Sequence, residues 1–239
     1  MKRNKKILIS TLVALLMLVL GATTIMAASS EKKLSAGKWV NGTSYDKTIY
    51  YKVTVKNDGV LTISAKNLGV AGESWMDLYI YKKDKGQYYS LSNAVWTKDK
   101  SKTVKYAVEK GTYYIKANTY TKFKYTFTKM EDKANYCASK AITLKKAKEV
   151  AVVNSAMNGY DRWYKIKLTK KQMLTIWNSG SVAIYDSNFN VIDLIQNDED
   201  YTKYYSTKML GKGTYYVRIY SNSYYNSYNR ASYTTFKWK

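Results

Sequence analysis

One string occurs twice in this chain. It reads Lys110-Gly111-Thr112-Tyr113-Tyr114-Ile115-Lys116, then Lys212-Gly213-Thr214-Tyr215-Tyr216-Val217-Arg218. A second string repeats upstream of each copy. Tyr50-Tyr51-Lys52-Val53-Thr54-Val55 corresponds to Trp163-Tyr164-Lys165-Ile166-Lys167-Leu168, and Val60-Leu61-Thr62-Ile63 to Met173-Leu174-Thr175-Ile176. A duplication on this scale predicts two similar units of about 100 residues, each large enough for its own core. It argues against a single central active site.

The repeated strings are strands by pattern. Tyr, Val, Ile and Thr alternate with Lys over short runs bounded by Asn, Asp, Gly and Ser. Residues 53–56 and 60–63, separated by Asn57-Asp58-Gly59, read as a hairpin with a Gly-containing turn. Residues 166–168 and 173–176, joined through 169–172, read as its counterpart. Leu78-Tyr79-Ile80-Tyr81 and Val182-Ala183-Ile184-Tyr185 follow, each before a polar turn (82–86 and 186–190). Residues 125–129 and 233–238 form the closing strands. Residues 134–148 are Lys-rich with irregular apolar spacing and read as linker plus a first strand. Strands at such spacing, with no long helical period, predict an all-β chain of two tandem antiparallel β-sandwiches.

Alternation assigns the faces, because successive side chains of a strand point to opposite sides. The inward set is Tyr51, Val53, Val55, Tyr113, Ile115 and Ala117 in the first copy. In the second it is Tyr164, Ile166, Leu168, Leu174, Ile176, Tyr215, Val217 and Ile219. A one-residue slip would bury lysines, so the register is strongly specified. The outward face then combines rings with cations: Tyr50, Lys52, Tyr114 and Lys116, and Trp163, Lys165, Trp177, Tyr216, Arg218 and Tyr220. Cross-strand Tyr–Lys pairing stabilises a sheet without any ligand. The alternative is a recognition surface, since aromatic side chains offer contact area at low entropic cost.

Composition limits the chemistry. Lys2, Arg3, Lys5 and Lys6 precede an apolar run and small residues ending at Ala27-Ala28, the order of a cleaved secretory signal. An uncleaved membrane anchor is the alternative reading. The division is therefore 1–28 signal, 29–130 first module and 131–239 second module. The formal charge is +23, or about +19 without the four basic signal residues. Such a charge favours polyanions: anionic wall polymers, acidic polysaccharides or membrane surfaces. Lys greatly outnumbers Arg and no Arg-rich block exists, which disfavours nucleic acid.

Histidine is absent, which excludes Ser-His-Asp and Cys-His catalysis and His-ligated zinc. Cys137 is the single cysteine, so no internal disulfide forms, and it reads as a small packed apolar residue. Proline is absent, which removes a proline-dependent wall-sorting motif. The acidic run Asp198-Glu199-Asp200 reads as a solvated turn rather than a glycosidase pair. Residues 220–230 are rich in Tyr, Asn and Ser, the composition of an adaptable binding loop. The candidate ligand-binding residues are thus Trp163, Trp177, Tyr216, Arg218, Tyr220, Tyr224, Tyr225 and Tyr228.

A family resemblance lies in the second copy. Glu131-Asp132-Lys133-Ala134-Asn135, Tyr160-Asp161-Arg162-Trp163-Tyr164, Ala183-Ile184-Tyr185-Asp186 and Gly213-Thr214-Tyr215-Tyr216-Val217-Arg218-Ile219 follow one another in this order. The set resembles the bacterial pre-peptidase C-terminal domain family over about 131–239. A weaker copy without the opening motif covers about 33–130. The resemblance implies jelly-roll-like sandwiches without catalytic residues, of the kind that accompany secreted enzymes, with related collagenase domains binding collagen. Some relatives bind calcium through the opening segment, which implies Glu131, Asp132, Asn135 and Asp161 as candidate ligands here. No other cofactor is implied.

The resulting expectation is a secreted, non-enzymatic protein, released or held non-covalently at the bacterial surface. Its expected partner is an anionic polymer, a polysaccharide or a protein such as collagen. The alternatives are a self-associating spacer, or an accessory or inhibitor of a secreted enzyme.

Overall fold

A computed structural model describes residues 29–70, 72–131, 133–155, 159–178, 181–199, 202–220 and 228–239. Apart from two single turns of 3-10 helix, its regular structure is all β. The first half holds β1 (Ser30–Lys33), β2 (Val40–Asn41), β3 (Ile49–Val55), β4 (Gly59–Asn67), β5 (Met76–Asp84), β6 (Gln87–Thr97), β7 (Ser101–Val108), β8 (Gly111–Ala117) and β9 (Thr121–Lys129). The second holds β10 (Ile142–Thr143), β11 (Val150–Asn154), β12 (Asp161–Leu168), β13 (Thr175–Asn178), β14 (Ser181–Tyr185), β15 (Val191–Ile192), β16 (Ile195–Glu199), β17 (Thr202–Ser206), β18 (Gly213–Tyr220) and β19 (Ser232–Trp238).

These strands form four sheets, two per half. The first half pairs in the orders β1-β3-β8-β5-β6 and β2-β9-β4-β7; the second pairs as β10-β12-β18-β14-β15 and β11-β19-β13-β17-β16. The central strands repeat: β3-β8-β5 matches β12-β18-β14, and β9-β4-β7 matches β19-β13-β17. The opening strand of each half joins in parallel, β1 on β3 and β10 on β12. The chain is thus two tandem jelly-roll-like sandwiches, each closed on its own core. Val53, Leu61, Ile80, Ile115 and Phe123 meet in the first, and Ile166, Leu174, Ile176, Val217 and Phe236 in the second.

Side-chain direction follows the alternation. Every residue assigned inward above is buried. Lys52, Lys165 and Lys167 leave the sheet on the other side, where the aliphatic stem can lie along apolar surface with the ammonium in water. Residues 134–148 hold one 3-10 turn (Ala138–Lys140) and then β10.

The two expected hairpins are not hairpins. β3 lies in one sheet of its sandwich and β4 in the other, so Asn57-Asp58-Gly59 carries the chain across the core. β12 and β13 are divided in the same way. Two strands that bury alternate residues can face each other across a core as readily as pair edge to edge, and the pattern is the same for both. Gly59 fits the crossing, since a Cβ there would lie 2.3 Å from the Thr128 carbonyl oxygen. The tight hairpin of the first half is β5–β6, where Asp84 pairs with Gln87. Its two turn residues, Lys85 and Gly86, take φ of 46° and 84°, as a type I′ turn requires.

Polar contacts join the halves. Asn229 is buried; its Oδ1 accepts from Glu109 N (3.2 Å) and the Tyr113 hydroxyl (2.9 Å), and its Nδ2 donates to Ala107 O (3.0 Å). The Ser155 hydroxyl donates to Asp58 Oδ2 at 2.6 Å, and the Tyr160 hydroxyl to Glu109 Oε1 at 2.8 Å. Tyr228 stacks on Tyr89 with centroids 4.5 Å apart.

Candidate functional site

The outward face of β12-β18-β14 is a continuous aromatic and cationic surface. Register places Trp163, Arg218 and Ala183 in one row, and Lys165, Tyr216 and Tyr185 in the next. Arg218 Nη2 pairs with Asp161 Oδ2 at 2.9 Å. That hydrogen bond raises the guanidinium pKa above its ordinary value. The guanidinium lies 5.1 Å from the Tyr220 ring and 6.0 Å from Trp163. Trp163 meets Tyr185 at 5.4 Å, and Phe189 stacks on Tyr216 at 5.0 Å. The Asp186 carboxylate shapes the turn that carries Phe189, accepting from Asn188 N and Asn190 N at 2.8 and 2.9 Å. Phe189 (φ 62°) and Val191 remain exposed at the rim.

The first half repeats this face at matching register. Lys52, Tyr114 and Tyr81 form one row, as Lys165, Tyr216 and Tyr185 do, and Lys116 stands where Arg218 does. Here the rings cover one another. Tyr50 stacks on Tyr88 at 3.6 Å and meets Tyr81 edge-on at 5.4 Å, and Tyr88 meets Tyr114 at 5.1 Å. Tyr114, expected outward, does point that way but is buried under these rings. Glu31 from β1 binds Lys83 Nζ at 2.6 Å and the Tyr88 hydroxyl at 2.7 Å, which holds its carboxyl below the usual range. The second face is therefore the more open of the two.

Trp163 and Trp177 do not share a surface. Both point outward, but from opposite sheets of the sandwich, because the chain crosses the core between β12 and β13. Trp177 has Lys237 and Lys239 Nζ at 5.3 and 5.0 Å from its ring. Trp39 in the first half has Lys66 and Lys124 at 5.0 and 5.1 Å. A cleft of about 570 Å³ between the halves is lined by Lys105, Lys129, Lys133, Lys145, Lys148 and Arg162, with Glu131 its one acid among the described residues.

The opening segment packs on β12, and its described residues form no cation cage. Asn135 is buried; its Nδ2 donates to Trp163 O at 2.9 Å and its carbonyl accepts from Trp163 N at 2.7 Å. The buried Arg162 guanidinium takes the neighbouring acceptors. It donates to Asn135 Oδ1 at 2.9 Å, to the Lys133 carbonyl, and to Glu131 O at 3.5 Å. Asp161 faces Arg218, and exposed Glu131 pairs with Lys133 at 3.8 Å. Asp132 lies outside the described residues. Calcium needs six to eight oxygens, and the described members of this set, whose acceptors a guanidinium occupies, do not fit it. Among the described residues no three His, Cys, Asp or Glu side chains converge.

The remaining candidates disperse. Tyr224 and Tyr225 lie outside the described residues. Tyr228 belongs to the contact between halves rather than to the Trp163 face. Asp198 and Glu199 end β16 instead of forming a turn. Cys137 is only half-buried, its Sγ 3.3 Å from Ser139 Oγ, and that contact lowers its pKa. Sequence reasoning missed Trp39 and the exposed, stacked pair Trp75 and Trp96 (4.4 Å). Trp39 and Trp75 lie just before strands, where alternation assigns no face; Trp96 faces out from β6 beside buried Val95.

No curated protein sequence matches the chain. Among solved structures, it is similar to a presumed secreted protein of Eubacterium rectale at 11% identity and TM-score 0.24, over 81% of this chain and 68% of that one. It is similar to tripeptidyl peptidase 2 at 9% identity and TM-score 0.28, over 87% of this chain but 24% of that one. It is also similar to a Paenibacillus cycloisomaltooligosaccharide glucanotransferase complexed with cycloisomaltoheptaose, at 8% identity and TM-score 0.23, over 79% and 43%. The family match is confined to the first half, the copy whose motif set looked the weaker: residues 47–119 match the bacterial pre-peptidase C-terminal domain family.

Proposed function

We propose that this is a secreted, non-catalytic binding protein that holds an anionic extracellular polymer on its aromatic and cationic sheet faces. The observation that carries this reading is the recurrence of one face in both halves. Lys52, Tyr81, Tyr114 and Lys116 repeat as Lys165, Tyr185, Tyr216 and Arg218 at the same register. Flat rings supply contact area for sugar rings, and the adjoining cations supply charge for carboxylates or phosphates on the same polymer. The Trp177 and Trp39 sites, each with two lysines, and the lysine-lined cleft add to the same chemistry. A chain without histidine that matches a non-catalytic domain family is consistent with binding rather than turnover.

The second-half face is the main site on this reading, because its rings are less covered. Co-sedimentation with insoluble anionic cell-wall polymer tests it. Binding is expected to weaken as salt rises and to fall about tenfold in Trp163→Ala/Tyr216→Ala. Retention that ignores both changes contradicts the reading.

A further inference from the structure

We propose that one end of the first sandwich docks on the anionic surface of a lipid membrane. Five large apolar side chains lie exposed there: Leu68 (50%), Val70 (61%), Trp75 (41%), Trp96 (66%) and Tyr120 (48%). They come from three separate segments that the fold ties together. Leu68 N donates to Tyr120 O at 2.8 Å, Asn118 Nδ2 to Trp75 O at 2.8 Å, and Gly72 N to Lys98 O at 3.2 Å. The Trp75 and Trp96 indoles stack at 4.4 Å, inclined by 15°. A contiguous exposed apolar patch of this kind marks an interaction site.

The apolar loop is built, not collapsed. Asn67 Nδ2 donates to Ser74 O at 2.7 Å, and Asn67 Oδ1 accepts from Gly69 N at 2.9 Å, which closes the loop at its base. Gly69 is required there, since a Cβ would sit 2.3 Å from Ser74 Oγ and 2.9 Å from the Tyr120 ring. Leu68 and Val70 stand exposed on this loop.

Composition and charge select the occupant. Trp and Tyr favour the water–lipid boundary, and Leu and Val favour the layer beneath it. The flanking charge is cationic: Lys98, Lys100, Lys102 and Lys122, against Glu73, Asp77 and Asp99. The Lys98 ammonium lies 5.2 Å from the Trp75 ring. An excess of lysine beside exposed indoles is complementary to anionic lipid.

The test is partition of the purified protein onto vesicles of phosphatidylglycerol, with phosphatidylcholine vesicles as control. The expected result is sedimentation with the anionic vesicles alone, with tryptophan emission quenched by brominated acyl chains. Trp75→Ala/Trp96→Ala is expected to lower partition about tenfold at an unchanged melting temperature. Lys98→Gln/Lys100→Gln/Lys102→Gln is expected to remove the preference for anionic lipid. The proposal is overturned if the wild type stays in the supernatant or if the tryptophan variant partitions equally. It is also overturned if the wild type self-associates through this patch without binding vesicles, which would make a second copy the occupant.

Discussion

The Tyr113 hydroxyl lies 2.9 Å from Asn229 Oδ1, across 116 residues of chain. Tyr113 belongs to the repeated string of the first half; Asn229 lies in the Tyr/Asn/Ser-rich sequence 220–230 of the second. Asn229 thus serves as a clasp between the sandwiches. Asn229 uses both ends of its amide, which suits a buried side chain that must satisfy its donors and acceptor.

Asn229→Ala is therefore expected to destabilise the protein by about 1–3 kcal/mol, because the Glu109 N–H and the Ala107 carbonyl lose a buried partner. Denaturant unfolding measures this. A midpoint equal to the wild type would show that the clasp contributes nothing.

Arg162 acts as an internal cation for the opening segment. Arg162→Met keeps the apolar stem but leaves the Asn135 and Lys133 acceptors without their donor. A loss of about 2–4 kcal/mol is expected. Calcium and chelator are each expected to leave the wild-type melting temperature unchanged. A calcium-dependent rise would show that the segment binds metal despite the guanidinium.

The tyrosine cluster of the first half predicts sensitivity to alkali. Burial, with neighbouring Tyr50, Tyr79 and Asp77, pushes Tyr81 up to about 12. Burial and its hydrogen bond to Glu31 push Tyr88 up to about 12. Burial also raises Tyr50 and Tyr114. Unfolded tyrosine ionises near 10, so between these values the unfolded state releases protons first. The stabilisation is complete below about pH 10 and is lost as pH rises towards 12. Melting temperatures across that window, read beside tyrosinate absorbance, check this. Full ionisation at pH 10 with no change in melting would contradict it.

Much of this architecture was legible because lysine alternates with apolar residues. Lys52 between Tyr51 and Val53, and Lys165 between Tyr164 and Ile166, leave one register that keeps ammonium groups in water. The same alternation located Trp163, Tyr216 and Arg218 on one face. It could not say that Gly59 starts a strand in the opposite sheet, since burial on one face looks alike for paired and for facing strands. That ambiguity also placed Trp163 and Trp177 together when the core separates them. Arg162 was invisible as a guanidinium plug because its acceptors are mostly backbone carbonyls. Asn229 was unreadable for a simpler reason: its partners lie in the other half. The acidic opening motif drew the family resemblance to the second copy, whereas the match at 47–119 rests on a half that lacks it.

The central claim is that the Trp163–Tyr216–Arg218 face binds an anionic polymer. Its most direct measurement is a titration of soluble acidic wall polysaccharide into the wild type and into Trp163→Ala/Arg218→Ala, with melting temperatures recorded in parallel. The account predicts saturable binding to the wild type that weakens with salt, and affinity about tenfold lower or worse in the variant. Equal affinity in a folded variant, or no binding by the wild type at low salt, would contradict it.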